Sequence, residues 1–321
     1  MTSNTFESFA QNGEDVVLWR ALGHIQNGRY VDVGANDPTV DSITRAFYDR
    51  GWRGITVEPV PEYAARHRAQ RIRDVVVEAA ITDADVDTVT LHQVDDTGLS
   101  TLVDEIGEQH VASGLQRHDI AVAARRLDAI LAEADWGGSD IHFATVDVEG
   151  AEVAVLRSID LTVWRPWVLV IESTAPRSTE PTHEAWEDIV LKAGYEFCLF
   201  DGLSRFYVAA EHAATLRAQL SYPACAIDDY TTHVYRVLDQ EKAGLVERQH
   251  ELEATVEHLT NDLIRWRSAA LGSWASAAQV AVPVANTGAQ AELEAMRNTV
   301  SWRITKPLRT VRQAAGTRRR P

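Results

Sequence analysis

The chain has 321 residues, with 31 Lys and Arg against 47 Asp and Glu, a formal charge of −16. At 45% hydrophobic and 24% charged residues it has the composition of a globular protein, and two cysteines, Cys198 and Cys225, exclude a disulfide framework and a cysteine-based zinc cluster. Eight basic residues and no acid fall between Arg297 and Arg320, so the first 296 residues carry 23 basic and 47 acidic groups, a body that repels nucleic-acid phosphates. The opening MTSNTFESFAQNGEDVV lacks the basic and apolar segments of a signal peptide, and no run of 18 apolar residues occurs. The expectation is a cytoplasmic protein, with peripheral contact at the inner membrane left to the basic tail.

In chain order, apolar runs predict strands at Arg29–Val33, Gly54–Val57, Val75–Ala80, Val89–Val94, Ile141–Val146, Trp167–Ile171, Glu196–Phe200 and Arg205–Val208. Helical segments are predicted between them at Asp41–Arg50, Pro61–Gln70, Leu127–Ala134, Gly150–Arg157 and His183–Lys192. Strand, crossover helix, strand is the pattern of an α/β fold with an open, largely parallel sheet flanked by helices. The short FDGLSR segment, Phe200–Arg205, predicts a hairpin and hence an antiparallel final pair.

A different regime begins after the last strand. Leu238, Leu245, Leu252, Leu259 and Trp266 recur every seven residues, with Lys242, Gln249, Val256 and Leu263 between them, a heptad register that predicts a coiled-coil-like helix. Ser268–Ala291 carries no charge and contains Pro283, which breaks any single helix running through it. The expected organisation is a catalytic domain at 1–236, a coiled-coil helix at 237–270 serving self-association or a partner, and a low-charge linker with basic tail at 271–321.

The sharpest local feature is Tyr30-Val-Asp-Val-Gly-Ala-Asn-Asp-Pro38. A strand runs into Gly34, Ala35 and Asn36, where small side chains let backbone approach a ligand, and Asp32 is placed to accept from a cationic amino group. Neither the three-glycine dinucleotide fingerprint nor the Walker A pattern is present. Glu58, closing the next strand 24 residues beyond Gly34, can accept both hydroxyls of a ribose. At a third strand end, Ala79 and Ala80 offer apolar walls for an adenine ring and Asp83 a polar group. Three successive strand ends thus describe a phosphate-free, cationic adenosyl ligand, S-adenosylmethionine.

FAQNGEDVVL (9–18), YVDVGANDPTVDSIT (30–44), GWRGITVEPVPE (51–62), LSTL (99–102), IHFATVDVEGAEVAVL (141–156), WRPWVLVIES (164–173) and FDGLSRFYVA (200–209) together resemble the FkbM family of S-adenosylmethionine-dependent O-methyltransferases. The resemblance spans about the first 210 residues and implies a class I methyltransferase (Rossmann-like) fold and transfer to a hydroxyl, often on a glycan or natural product. It matches Asp32, Gly34 and Asn36 to the cofactor turn, Glu58 to the ribose acid, Gln11, Glu14 and Asp15 to an entrance motif, and Asp147, Glu149 and Gly150 to the D-V-E-G segment. Two departures are Ala144-Thr145-Val146 before D-V-E-G, where the family commonly has Leu-Lys-Ile, and Ser204, where it commonly has Asn. The terminal SWRITKPLR is similar to tails on bacterial glycan-processing proteins, implying polysaccharide biosynthesis and a glycan-assembly partner.

A sugar hydroxyl is a weak nucleophile, so a proton acceptor is expected beside it. Asp147 is the first candidate, Glu172 the second, and Glu149 the third, with a loop-holding role for Glu149 as the alternative. The three carboxylates could instead share a divalent cation such as Mg²⁺. His142 is expected to face packing. His183 falls on a plausible lid, and Trp164, Trp167 and Trp186 are either core or a sugar-stacking platform. Ser100 and Thr101 could donate to an acceptor. The leading function is O-methylation of a saccharide, glycolipid or glycosylated metabolite; the alternatives are an inactive methyltransferase-like scaffold and a nucleotide-dependent oxidoreductase.

Overall fold

The computed structural model describes residues 5–94, 97–134, 136, 138–280 and 288–305. They fall into two units, divided between Glu241 and Lys242.

The first unit begins with β1 (Phe6–Ser8), α1 (Glu14–Leu22), β2 (Arg29–Val33), α2 (Arg45–Asp49), β3 (Arg53–Val57), α3 (Pro61–Gln70) and β4 (Val75–Val77). An excursion comes next: β5 (Ala80–Ile81), β6 (Thr88–Val94), α4 (Asp104–Ala112) and β7 (Arg117–Arg125). The chain then forms α5 (Leu127–Glu133), β8 (Phe143–Val146), α6 (Glu152–Arg157), β9 (Val168–Glu172), α7 (Glu187–Lys192), β10 (Tyr195–Phe200), β11 (Ser204–Ala209), α8 (Ala210–Leu216) and β12 (Tyr230–Thr232).

Seven strands make the main sheet, in the order β10-β11-β9-β8-β2-β3-β4. From β9 to β4 every pairing is parallel, and β11 runs antiparallel to both its neighbours. Period-two alternation splits each strand between two cores. Val31, Val33, Ile55, Val57, Leu169 and Ile171 pack on one face with α5 and α6 residues such as Leu131 and Val155. Tyr30, Phe143, Val168, Val170 and Phe206 pack on the other with Leu18, Phe47, Trp52 and Leu216. Burial on both faces is why these strands read as near-continuous apolar runs. The strand order reverses between β2 and β8, so their carboxyl ends open a crevice at a topological switch point.

Three expectations meet the structure here, and two change. Val75–Ala80 is not one strand: Val75–Val77 pairs with β3, whereas Ala80–Ile81 turns away to pair with β7. The predicted strand at 89–94 also leaves the main sheet and pairs antiparallel with β7, a strand that the sequence does not announce because its alternation is half-exposed. The hairpin is present: Asp201 Oδ1 accepts from the backbone N–H of Leu203 and Ser204, with Gly202 at φ 107° closing the turn.

Arg20 on α1 fastens the end of this unit. Its guanidinium makes a bidentate pair with Asp228 at 2.7 and 2.8 Å and donates to the carbonyls of Gln219, Tyr222 and Pro223. Every donor atom is used, with only 11% of the side chain exposed.

In the second unit, the greater part of α9 (His233–Val280) is followed by α10 (Gly288–Arg297) and α11 (Val300–Ile304). The helix continues past 270 because Ala-rich sequence is a good helix former. Pro283 and the tail from residue 306 lie outside the described residues. Among those described, no helix is long and apolar enough to cross a membrane.

Arg20→Ala removes the guanidinium from Asp228, leaving it the Cys225 N–H, and is expected to cost about 3 kcal/mol of stability in chemical denaturation. A loss below about 0.5 kcal/mol would show that the clamp is a surface contact only.

Candidate active site

Parallel pairing of β2 with β8 sets Asp32 opposite Thr145 and Val33 opposite Val146, so Gly34 meets Asp147 just past the strand ends. Gly34 has φ 84°, and a Cβ there would stand 1.7 Å from the Asp147 carbonyl oxygen. The glycine is therefore required first by this backbone approach, with ligand access a second consequence. Asn36 also takes a left-handed conformation, φ 47°, which Asn tolerates. Its backbone N–H donates to Glu58 Oε2 at 2.7 Å, while its Oδ1 is buried without a partner.

Glu58 sits at the carboxyl end of β3, 4% exposed, with its other oxygen accepting from Val60 N–H at 2.7 Å. Burial pushes its pKa up to about 7. Around it lies a cavity whose lining includes Val57, Val60, Tyr63, Ala80 and Leu91. Gly34, Asn36, Asp147 and Glu149 line both this apolar chamber and a larger polar one, so the two form one cleft. The polar half adds Gln11, Ala35, Asp41, Glu172, Thr174 and Arg177.

At the junction, Asp147, Glu149 and Glu172 bring carboxylate oxygens within 4.8 Å of one another. Glu172 hydrogen-bonds Asp147, and no salt bridge to any of the three occurs among the described residues. Burial and mutual repulsion hold Glu172 up to about 12 and Glu149 up to about 9, and burial raises Asp147 as well. Glu149 stands at φ 51° with Oε2 buried and unpartnered.

The cleft thus gathers ten of the eleven residues that the sequence singled out: Gln11, Gly34, Ala35, Asn36, Glu58, Ala80, Asp147, Glu149 and Glu172 line it, and Asp32 lies beneath it. Asp32 is buried, accepting from Thr44 Oγ1 at 2.5 Å and from Thr145 Oγ1 at 2.8 Å. Asp83 is the eleventh and is exposed outside the cleft, because the two-residue β5 turns toward β7 and leaves Asp83 facing solvent. The loop-holding alternative for Glu149 passes to Glu152, which accepts from Gly150 N–H at 3.0 Å. Asp15 is structural, accepting from Ser8 Oγ and Phe9 N–H.

Thr101 is fully buried and donates to the Glu149 carbonyl at 2.6 Å, fixing the D-V-E-G turn; Ser100 lines the cleft. His142 packs as expected, accepting from Arg29 N–H between Trp52 and Trp167. His183 lies outside the cleft lining, and Trp164, Trp167 and Trp186 belong to the cores, so no tryptophan platform faces the cleft among the described residues. Tyr63, Leu91 and Arg177 are cleft residues that the sequence did not single out. Tyr63 lies five residues beyond Glu58, just past the end of a resembling segment, whereas Leu91 and Arg177 reach the cleft only through tertiary folding.

Glu14, pushed up to about 8 by burial, joins Glu149 and Glu172 in holding a proton that the unfolded chain, with carboxyl pKa values near 4, has lost. The folded state then binds more protons than the unfolded one, so stability falls as pH rises, by about 1.4 kcal/mol per pH unit for each group still protonated. The melting temperature of the unliganded protein should drop between pH 7 and pH 9. A flat or rising profile in differential scanning calorimetry would contradict the buried-acid assignment.

Comparison with known proteins gives this site a family. The sequence matches the model of the methyltransferase FkbM domain over residues 32–197, more than half the chain. No curated protein matches it. Among solved structures, a TehB-like SAM-dependent methyltransferase from Corynebacterium glutamicum aligns at 10% identity and TM-score 0.34, covering 61% of this chain and 87% of that one. The 1,6-didemethyltoxoflavin-N1-methyltransferase of Burkholderia thailandensis aligns at 12% identity and TM-score 0.32, covering 61% and 74%. CurJ carbon methyltransferase aligns at 7% identity and TM-score 0.33, covering 63% and 56%. The family match, together with the switch-point cleft, leads to one conclusion: the chain belongs to the FkbM methyltransferase domain family.

Proposed function

We propose that this protein is an S-adenosylmethionine-dependent O-methyltransferase acting on a hydroxyl of a saccharide, glycolipid or glycosylated metabolite. The observation that carries the reading is the two-ended cleft: an apolar chamber around a buried carboxylate, continuous with a polar chamber where three acids cluster with no salt bridge among the described residues. Glu58 is the ribose acceptor, Ala80, Leu91 and Tyr63 flank the adenine, and the turn Gly34-Ala35-Asn36 lies along the cofactor's middle. Asp32 acts from below, holding that turn through Thr44 and Thr145. Asp147, Glu149 and Glu172 face the positively charged end.

S-adenosylmethionine supplies a methyl group on a sulfonium, a leaving group that needs no further activation. What remains for the protein is alignment, exclusion of water and removal of the hydroxyl proton. Asp147 receives that proton. Its bond from Glu172 favours the ionised form, while its burial makes it a stronger base than a solvated aspartate. Gln11, Asp41, Thr174 and Arg177 on the polar side can bind a polyhydroxylated acceptor by hydrogen bonds. A second reading, supported by the unpartnered Glu149 Oε2, is that the three carboxylates hold Mg²⁺, which would polarise the acceptor oxygen. A place in polysaccharide biosynthesis on the cytoplasmic side, with the basic tail touching the inner membrane, belongs to the same proposal.

The test is incubation of the purified full chain with methyl-labelled S-adenosylmethionine and a glycan-intermediate extract, followed by mass identification of the product. Label in an ether on a sugar oxygen is expected, whereas label on carbon or nitrogen, or no cofactor binding at all, would overturn the reading. Glu58→Ala should weaken cofactor binding about tenfold or more while leaving acceptor affinity near wild type. Asp147→Asn should lower kcat by about a hundredfold with cofactor still bound; a near-wild-type rate would remove Asp147 from the chemistry. Loss of turnover in EDTA, restored by Mg²⁺, would select the metal reading.

A further inference from the structure

Along α9, Leu245, Leu252, Leu259 and Trp266 are 71, 55, 61 and 69% exposed, and Val256 and Leu263 are 62 and 63% exposed. Single exposed leucines need no explanation, but a stripe of six large apolar side chains at heptad spacing does. The register is fixed by the residues three and four positions away. Placing the leucines at the first core position of the heptad would make Arg248, Thr255 and Asp262 the second, an unworkable core. With the leucines and Trp266 at the second core position, the first is filled by Lys242, Gln249, Val256 and Leu263. β-Branched or polar residues at the first position with leucine at the second favour two strands.

We propose that residues 242–267 of α9 pair with the same segment of a second copy of this chain, as a parallel, in-register two-stranded coiled coil. The proposal rests on α9 alone and is independent of the chemistry assigned to the cleft. Charge complementarity selects both the occupant and its direction. In a parallel pair, the residue before each first core position faces, on the other helix, the one just beyond the next second core position. Arg248 then meets Glu253 of the second copy, Thr255 meets Thr260, and Asp262 meets Arg267, with no like-charge pair among these flanking positions. Gln249 meets Gln249, amide against amide, and Lys242 meets Lys242 at the first core layer, where its long stem lets the ammonium snorkel to water.

The antiparallel alternative aligns Leu252 with Val256 of the second copy. It sets Glu253 against Glu253, Gln249 against Leu259 and Lys242 against Trp266, one repulsion and two unmatched polar groups in the core. Existing contacts along the single helix, such as Arg248 to Glu251 at 3.2 Å and Gln249 to Glu253 at 2.9 Å, are solvated and too weak to compete with the apolar seam.

Sedimentation velocity on the full chain should give a dimer at tens of micromolar, and Leu252→Glu with Leu259→Glu should give a monomer. Arg248→Glu should raise the dimer dissociation constant about tenfold, and adding Glu253→Arg should restore it to within about threefold of wild type. Direction is read separately. In a Cys198→Ser, Cys225→Ser background, Leu259→Cys should crosslink chain to chain on mild oxidation, because the two 259 positions abut only in the parallel register. A monomeric wild-type chain, a trimer or larger species, or a dimer that fails to crosslink through position 259 would each overturn the proposal.

Discussion

Three carboxylates share one end of a cleft with no salt bridge to any of them among the described residues, and most of the site derives from that constraint. Asp147, Glu149 and Glu172 are brought within 4.8 Å by neighbouring parallel strands that end at the same sheet edge. Like charges at such spacing and burial cannot all ionise, so the unliganded site holds protons in their place. A positively charged ligand reverses the balance. In the proposed function, the acids serve as both the binding determinant and, through Asp147, the base.

The geometry leaves little slack. Gly34 passes so close to the Asp147 carbonyl that no side chain fits between them, and Thr101 holds the next turn from the opposite side. Glu149 is thereby kept in a left-handed backbone conformation, a strained arrangement of the kind that clusters at functional sites. Behind the turn, a buried network links Arg71 to Thr44 at 2.6 Å and Thr44 to Asp32 at 2.5 Å. Asp32 thus ties β2 to Thr44 and to Thr145 on β8.

Much of this was legible in the sequence. The strands at Arg29–Val33 and Trp167–Ile171 announced themselves because both faces are buried, and Glu58 because it ends a strand beside a small-residue turn. Asp147, Glu149 and Glu172 were legible as strand-end acids, although their mutual distance was not. Legibility ended where tertiary context decides. Asp83 comes after a strand that leaves the main sheet for only two residues, and nothing local marks the departure. Trp186 fills the core with 1% exposure, as an aromatic at helical spacing does more often than it stacks on a sugar. Arg177 enters the cleft from a loop with no periodic signal. The roles of Gly34 and Glu152 depend on contacts across strands or turns that spacing alone does not encode.

If the acid cluster surrenders protons to a cationic ligand, calorimetry reads the exchange directly. Titrating S-adenosylmethionine into the full chain at pH 7 in buffers of different ionisation enthalpy should show net proton release to the buffer, with affinity rising as pH increases toward 9. Binding with no proton exchange, or affinity that rises as pH falls, would mean that these carboxylates do not meet the cofactor's charge.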